Sequence, residues 1–255
     1  MISISEAQLV AWISPILWPF LRVLAVFTAA PVFSSRVFPL RARIALAFLI
    51  AYAAQASMPQ QVVVSVNDPE ALGVVVQQVG VGLAIGFTVR LVFGAFELAG
   101  QVIGFQMGLG FAAFFDPSTS AQSSAMGRFY ANMAALLFVV LNGHLMVIMA
   151  VAQSFTAFPV DQNFLQALGT MKLYELGADL FASAFWIALP VVAMLMFANL
   201  ALGIVSRVAP QMNIYAIGFP VTLVVGLVGV ALTLPMLEQP FAALMERMMD
   251  IFTRR

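Results

Sequence analysis

The sequence predicts an all-α integral membrane protein of about six kinked apolar helices, followed by a C-terminal amphipathic helix. Of its 255 residues 63% are hydrophobic and only 9% charged, whereas soluble domains run near 45–50% apolar and about 25% charged. Mean hydropathy is +1.02. Apolar runs separated by Pro, Gly and charged clusters recur along the whole chain. At about 20 residues per crossing, this length holds about six spans with short connections and no large extramembrane domain, so residues 1–255 read as a single membrane domain.

The runs extend from Gln8 to Ala30, Ala42 to Ala56, Ala71 to Phe96, Gly127 to Val151, Gly177 to Leu202 and Asn213 to Leu234. The chain opens on uncharged residues and Glu6 instead of a basic segment, with no small-residue cleavage site, so the first run is expected to be a retained helix. The second run is short for a crossing. Pro15, Pro19, Pro190 and Pro220 lie inside runs. Each removes a backbone donor and favours a bend whose freed groups neighbouring helices must satisfy. From Pro235 onward, Leu237, Phe241, Leu244, Met245, Met248 and Met249 recur at helical spacing among Glu238, Glu246, Arg247 and Asp250. That pattern is an amphipathic helix, suited either to the membrane interface or to a partner subunit.

Arg36, Arg41 and Arg43 follow the first run, Arg128 precedes the fourth, and Arg207 separates the fifth from the sixth, all at odd-numbered connections. The excess of basic residues there assigns that side to the cytoplasm. Asp68, Glu70, Asp161, Lys172 and Glu175 occupy the even connections.

Formal charge balances at eleven basic and eleven acidic residues, so no global field draws the chain toward nucleic acid. Cysteine is absent, which removes disulfides, thiolate metal ligands and cysteine nucleophiles. No metalloprotease, nucleophile-elbow, phosphate-loop or paired-carboxylate pattern occurs, so the chain offers no catalytic, cofactor-binding or metal-binding candidate. His144, the one histidine, has no acidic partner in its run to form a proton relay and reads as a packing or interfacial residue.

The most unusual stretch is Gly94 to Ser124. Gly100, Gly104 and Gly108 recur every fourth residue, which aligns them on one helix face and lets another backbone approach closely. Gly110 and Phe111 follow, then Phe114, Phe115 and Pro117, then an uncharged Ser/Thr/Gln tract. Glycine and proline break the helix, and irregular backbone at membrane depth needs burial in protein or a bordering cavity. Three phenylalanines on such a loop form either an aromatic anchor at the lipid headgroups or a dewetting constriction that excludes water and ions. Arg90 and Glu97 are read as the most deeply placed charges. Seven residues put them on nearly one face but about 10 Å apart along the axis, so each is expected to bond another helix or subunit, or to snorkel.

Three stretches together resemble one family: FAAFFDP from Phe111 to Pro117, FVVLNGHL from Phe138 to Leu145, and ANLALGIVSRVAPQMNIYAIGFP from Ala198 to Pro220. In the last, Arg207, Ala209, Pro210, Gln211, Asn213, Gly218 and Pro220 follow the family's pattern. The chain is similar over essentially its full length to the FliR family of the flagellar type III export apparatus, whose relatives serve virulence injectisomes. The resemblance implies kinked helical hairpins and assembly with FliP and FliQ into an export gate. It places that gate near FlhB and FlhA, at the bacterial inner membrane within the flagellar basal body, with unfolded flagellar subunits passing through it. It also implies that much of the complex stands above the ordinary bilayer plane. Phe111 and Phe114 match positions expected in the loop that plugs the closed channel, with Gly108, Gly110 and Pro117 supplying its bends. The competing class, a small-solute secondary transporter or channel, predicts internal repeats and paired broken helices, and no convincing repeat is seen.

Overall fold

The computed structural model describes residues 6–35, 38–55, 68–69, 71–111, 124–160, 169, 171–211 and 213–253. Their regular structure is helical: α1 Glu6–Ala29, α2 Leu40–Ala54, α3 Ala71–Gln106, α4 Ala125–Val140, α5 Gly143–Ala157, α6 Glu175–Val208, α7 Ile214–Thr233 and α8 Glu238–Met249. Short 3-10 turns occupy Leu109–Phe111, Leu234–Leu237 and Asp250–Phe252. Four helical stretches are long and apolar enough to cross a membrane: Trp12–Ala29, Ala71–Gln106, Glu175–Val208 and Ile217–Phe252. The bent pair α4 and α5 makes a fifth if it acts as one span. An all-α membrane protein is therefore what the sequence folds into. The short second run is α2, whose 15 residues reach only about 22 Å at 1.5 Å per residue.

Three boundaries differ from the sequence reading. The third run does not stop near Phe96, because α3 continues to Gln106 and takes Gly100 and Gly104 into the helix. The fifth likewise runs past Leu202 to Val208. The fourth is not continuous: it breaks at Leu141–Asn142 with a bend of 69°. Asn142 takes a left-handed conformation there, with φ 55°, and its carbonyl accepts from the N–H groups of Leu145 and Met146. The prolines Pro15, Pro19, Pro190 and Pro220 all remain inside continuous helices. The break in the fourth run is made by Asn-Gly instead.

The described chain forms two compact units. The first comprises residues 1–91, 142–177 and 245–255. Its packing starts from Gly82 and Gly86 on α3, where a Cβ would fall onto the Arg22 carbonyl oxygen or the Ala29 side chain. Two glycines one turn apart thus let α1 lie directly on the α3 backbone. Helix α2 buries its small residues Ala47, Ala51 and Ala54 and exposes Leu40, Ile44, Phe48, Leu49 and Tyr52. Arg43 Nη2 closes the turn between α1 and α2 by donating to the carbonyls of Ser35 (2.9 Å) and Phe38 (3.2 Å).

Among the described residues, Arg22, not Arg90 or Glu97, is the most deeply buried charge. Arg22 is fully buried within α1, while Arg90 is exposed and Glu97 half-buried. The sequence reading ran through Arg22 because apolar residues surround it on both sides.

The second unit comprises residues 92–141 and 178–244. Here Phe241 of α8 packs edge-on against Phe96 of α3, with ring centres 5.5 Å apart, and against Phe93 at 6.5 Å. Phe93 in turn meets Phe138 of α4 at 5.6 Å. In this unit Phe241 and Leu244 of α8 are buried, and in the first unit Met245, Met248 and Met249 are buried, so the amphipathic helix spends its apolar face on the chain itself. Neither the membrane interface nor a partner subunit is free to take that face.

Candidate functional site

The phenylalanine segment joins α3 to α4, and what the structure describes is how its two ends are held, within the second unit. Phe111 closes the 3-10 turn Leu109–Phe111. Phe114, Phe115 and Pro117 lie outside the described residues.

At the first end α3 stops because Gly108 enters the left-handed region, with φ 84°, a conformation that glycine adopts without a Cβ penalty. Its N–H donates to the Phe105 carbonyl at 3.0 Å. A side chain would be doubly excluded, since a Cβ on Gly108 would lie 3.1 Å from the Phe219 ring. Met107, one residue earlier, is fully buried. Its side chain fills a notch at Gly226, where a Cβ would strike the thioether, with sulfur 2.7 Å away. Its carbonyl accepts from the Thr222 hydroxyl at 3.3 Å. Phe219, Thr222 and Gly226 are spaced i, i+3, i+7 and so share one face of α7. That face holds the end of α3.

At the other end Ser124 caps α4, its Oγ accepting from the Gly127 N–H at 3.0 Å. Gly100 abuts the Met126 backbone, and a Cβ on Gly104 would lie 3.3 Å from Ser124 Oγ. The glycine face read from the sequence therefore receives the first turn of α4 at Gly100 and Gly104. Gly108 has the separate task of ending the helix. Gly110 is kept bare by Phe105, whose ring carbon would lie 2.6 Å from a Cβ there.

The predicted charges do not gather around this site. Arg90 belongs to the first unit. Glu97 accepts from Gln101 Nε2 at 3.4 Å, one turn along α3. Arg207 is exposed in the last turn of α6, where the negative end of the helix dipole favours a cation. The sequence reading missed the α7 face, although its spacing of an aromatic, a hydroxyl and a glycine was visible. It also missed Gly82 and Gly86, a second small-residue pair on α3.

Residues 13–248 match the family of bacterial export proteins, family 1. The chain is 36% identical to the flagellar biosynthetic protein FliR of Escherichia coli K12, over 99% of this chain and 98% of that one. It is 32% identical to the FliR of Bacillus subtilis over 82% of each, and 30% identical to that of Caulobacter vibrioides over 92% of this chain and 94% of the other. On this full-length similarity, the chain belongs to the FliR family of bacterial export proteins and is a component of the flagellar export apparatus.

Proposed function

We propose that the chain is a structural and gating subunit of the flagellar type III export gate, without catalytic chemistry. It forms with FliP and FliQ the inner-membrane channel through which unfolded flagellar proteins pass, next to FlhB and FlhA. The observation that supports this most directly is an apolar surface longer than a bilayer is thick. On α6, exposed apolar side chains recur from Phe181 to Val208, a rise of about 40 Å. At the common tilt of about 20° about 38 Å remain, against a hydrocarbon core of about 30 Å. On α3 they recur from Leu72 to Phe87 and again at Phe105, with exposed Arg90 between. Lipid covers only part of such surfaces, and other apolar helices must cover the rest.

Within the gate, the segment from Gly110 to Pro117 acts as a deformable hydrophobic plug, with Phe111, Phe114 and Phe115 as its apolar side chains. Fixed ends and a glycine-bounded start suit that role: the ends set where the seal sits, and the glycines let it yield. Arg90, Glu97 and Arg207 serve as polar contacts to neighbouring subunits. Co-expression with FliP and FliQ, followed by mass measurement of the intact complex, tests the assignment. A stoichiometric complex is expected. A monodisperse, protease-resistant protein obtained without either partner overturns it.

A further inference from the structure

Arg22 has no exposed surface, and among the described residues its hydrogen-bond partners are all neutral. Its Nε donates to Gln78 Oε1 on α3 at 2.9 Å. Nη1 donates to Ser154 Oγ on α5 at 3.0 Å. Nη2 donates to the Phe158 carbonyl, at the C-terminal cap of α5, at 2.8 Å. The guanidinium carbon also lies 4.1 Å from the centre of the Phe155 ring.

A second layer aims these acceptors. Gln78 Nε2 donates to Gln77 Oε1 at 2.7 Å, and Gln77 Nε2 donates to the Pro159 carbonyl at 3.0 Å. The Ser154 hydroxyl donates to the Val151 carbonyl at 2.7 Å, leaving its lone pairs toward the arginine. All these residues belong to the first compact unit.

A buried guanidinium stays protonated and needs compensating negative potential. The carboxyl end of α5 supplies it, since the last carbonyls of a helix carry about half a negative charge, and the Phe155 ring face adds a cation–π term. Apolar helix faces in a membrane do little to fix how far one helix slides along another, because lipid tails are as apolar as the partner helix. A slip of one residue moves α5 by about 1.5 Å, enough to break the two bonds that reach it, at 3.0 and 2.8 Å. We propose that Arg22 is a register lock, a cation that reads the end of α5 through the helix dipole and fixes α5 along α1 and α3. Lysine has the charge but not the planar fork of donors that reaches three acceptors in different directions. Methionine keeps the stem and loses both.

The absence of cysteine from the native sequence makes a local reporter available. Ala150 on α5, in the first unit, and Ala188 on α6, in the second, are both 1% exposed. In the complex with FliP and FliQ, each is replaced singly by cysteine and labelled during heating with a fluorogenic maleimide. Arg22→Lys and Arg22→Met should each lower the labelling midpoint at position 150 by about 5 °C or more, and lower the midpoint at 188 less. Gln78→Glu puts a carboxylate opposite the guanidinium but loses the Nε2 donation to Gln77, so it should lower the position-150 midpoint less in the parent than beside Arg22→Met. A parental midpoint for either Arg22 variant overturns the lock. Should the Arg22 variants fail to assemble, Ser154→Ala, which removes one of the two acceptors at α5, decides: a lower midpoint at position 150 is expected, and a parental one overturns the proposal.

Discussion

Asn142 is held at φ 55°, where most side chains cost about 1–2 kcal/mol and asparagine or glycine little. Asn142→Ala is therefore expected to lower stability by about 1 kcal/mol, and Asn142→Gly to stay within about 0.5 kcal/mol of the parent, measured as denaturation of the purified complex. The notch at Gly226 gives a steeper case. Met107 has no exposed surface into which its thioether can retreat, so Gly226→Ala overpacks the site by about 1–3 kcal/mol. Met107→Ala in the same chain should recover part of that loss, so the two changes are non-additive in a double-mutant cycle. Independent, additive losses would mean that the contact does not hold the end of α3. Single residues were unevenly legible in the sequence. Gly100 and Gly104 announced a close approach through their spacing, and the structure supplies the partner backbone. Arg22 was passed over because an apolar average over its run hides one charge, while the partners that make the charge tolerable come from residues 78, 154 and 158, far away in sequence.

For elements, apolar runs located the helices but not all of their ends. Glu97 made Phe96 look like a terminus, yet α3 continues because Gly100 and Gly104 gain a packed partner that outweighs their poor helix propensity, about 1 kcal/mol each. The break between α4 and α5 was invisible to hydropathy, since Asn-Gly turns the backbone without a charge or proline to interrupt the apolar run. For α8 the amphipathic pattern was correct and its occupant was not. Which surface receives an apolar face is a property of tertiary packing, and here Phe93 and Phe96 receive it. Phe241→Ala should accordingly cost about 3–5 kcal/mol, the range for emptying a buried phenylalanine site. Met236→Ala, at a side chain 66% exposed, should cost less than about 0.5 kcal/mol. Heat denaturation of the complex distinguishes them. Equal, small losses would return α8 to the role of a surface helix that packs on something else.

Crossings and sidedness are properties of the whole molecule. By the excess of basic residues, Arg41, Arg43 and Arg207 are expected to put both their connections on the cytoplasmic side, which would require an even number of crossings between them. Helices α3 and α6 are long enough to cross, α2 falls short, and the α4–α5 pair either crosses once or turns back. Sidedness therefore couples α2 to the bent pair: both cross, or neither does. Thiols introduced as Ser35→Cys and Ser206→Cys are expected to label from the same face, and Gln55→Cys at the end of α2 then decides between the two solutions. Labelling of Ser35→Cys and Ser206→Cys from opposite faces would refute the basic-residue assignment and leave a single member of the pair crossing. The plug is tested at the same scale, because only an assembled channel has an inside to seal. Hydrated ions must shed water to pass an apolar ring that offers no polar replacement, so removing the ring lowers the barrier without touching the helices that hold it. Phe111→Ala with Phe114→Ala is expected to leave recovery of the complex with FliP and FliQ near the parent level and to raise membrane ion conductance. Arg207→Ala, at a helix end, is expected to do the reverse, reducing recovery of the complex while the assembled fraction stays tight. A double phenylalanine variant that assembles and remains as ion-tight as the parent would move those side chains from the seal to the lipid headgroups, where aromatic rings also settle.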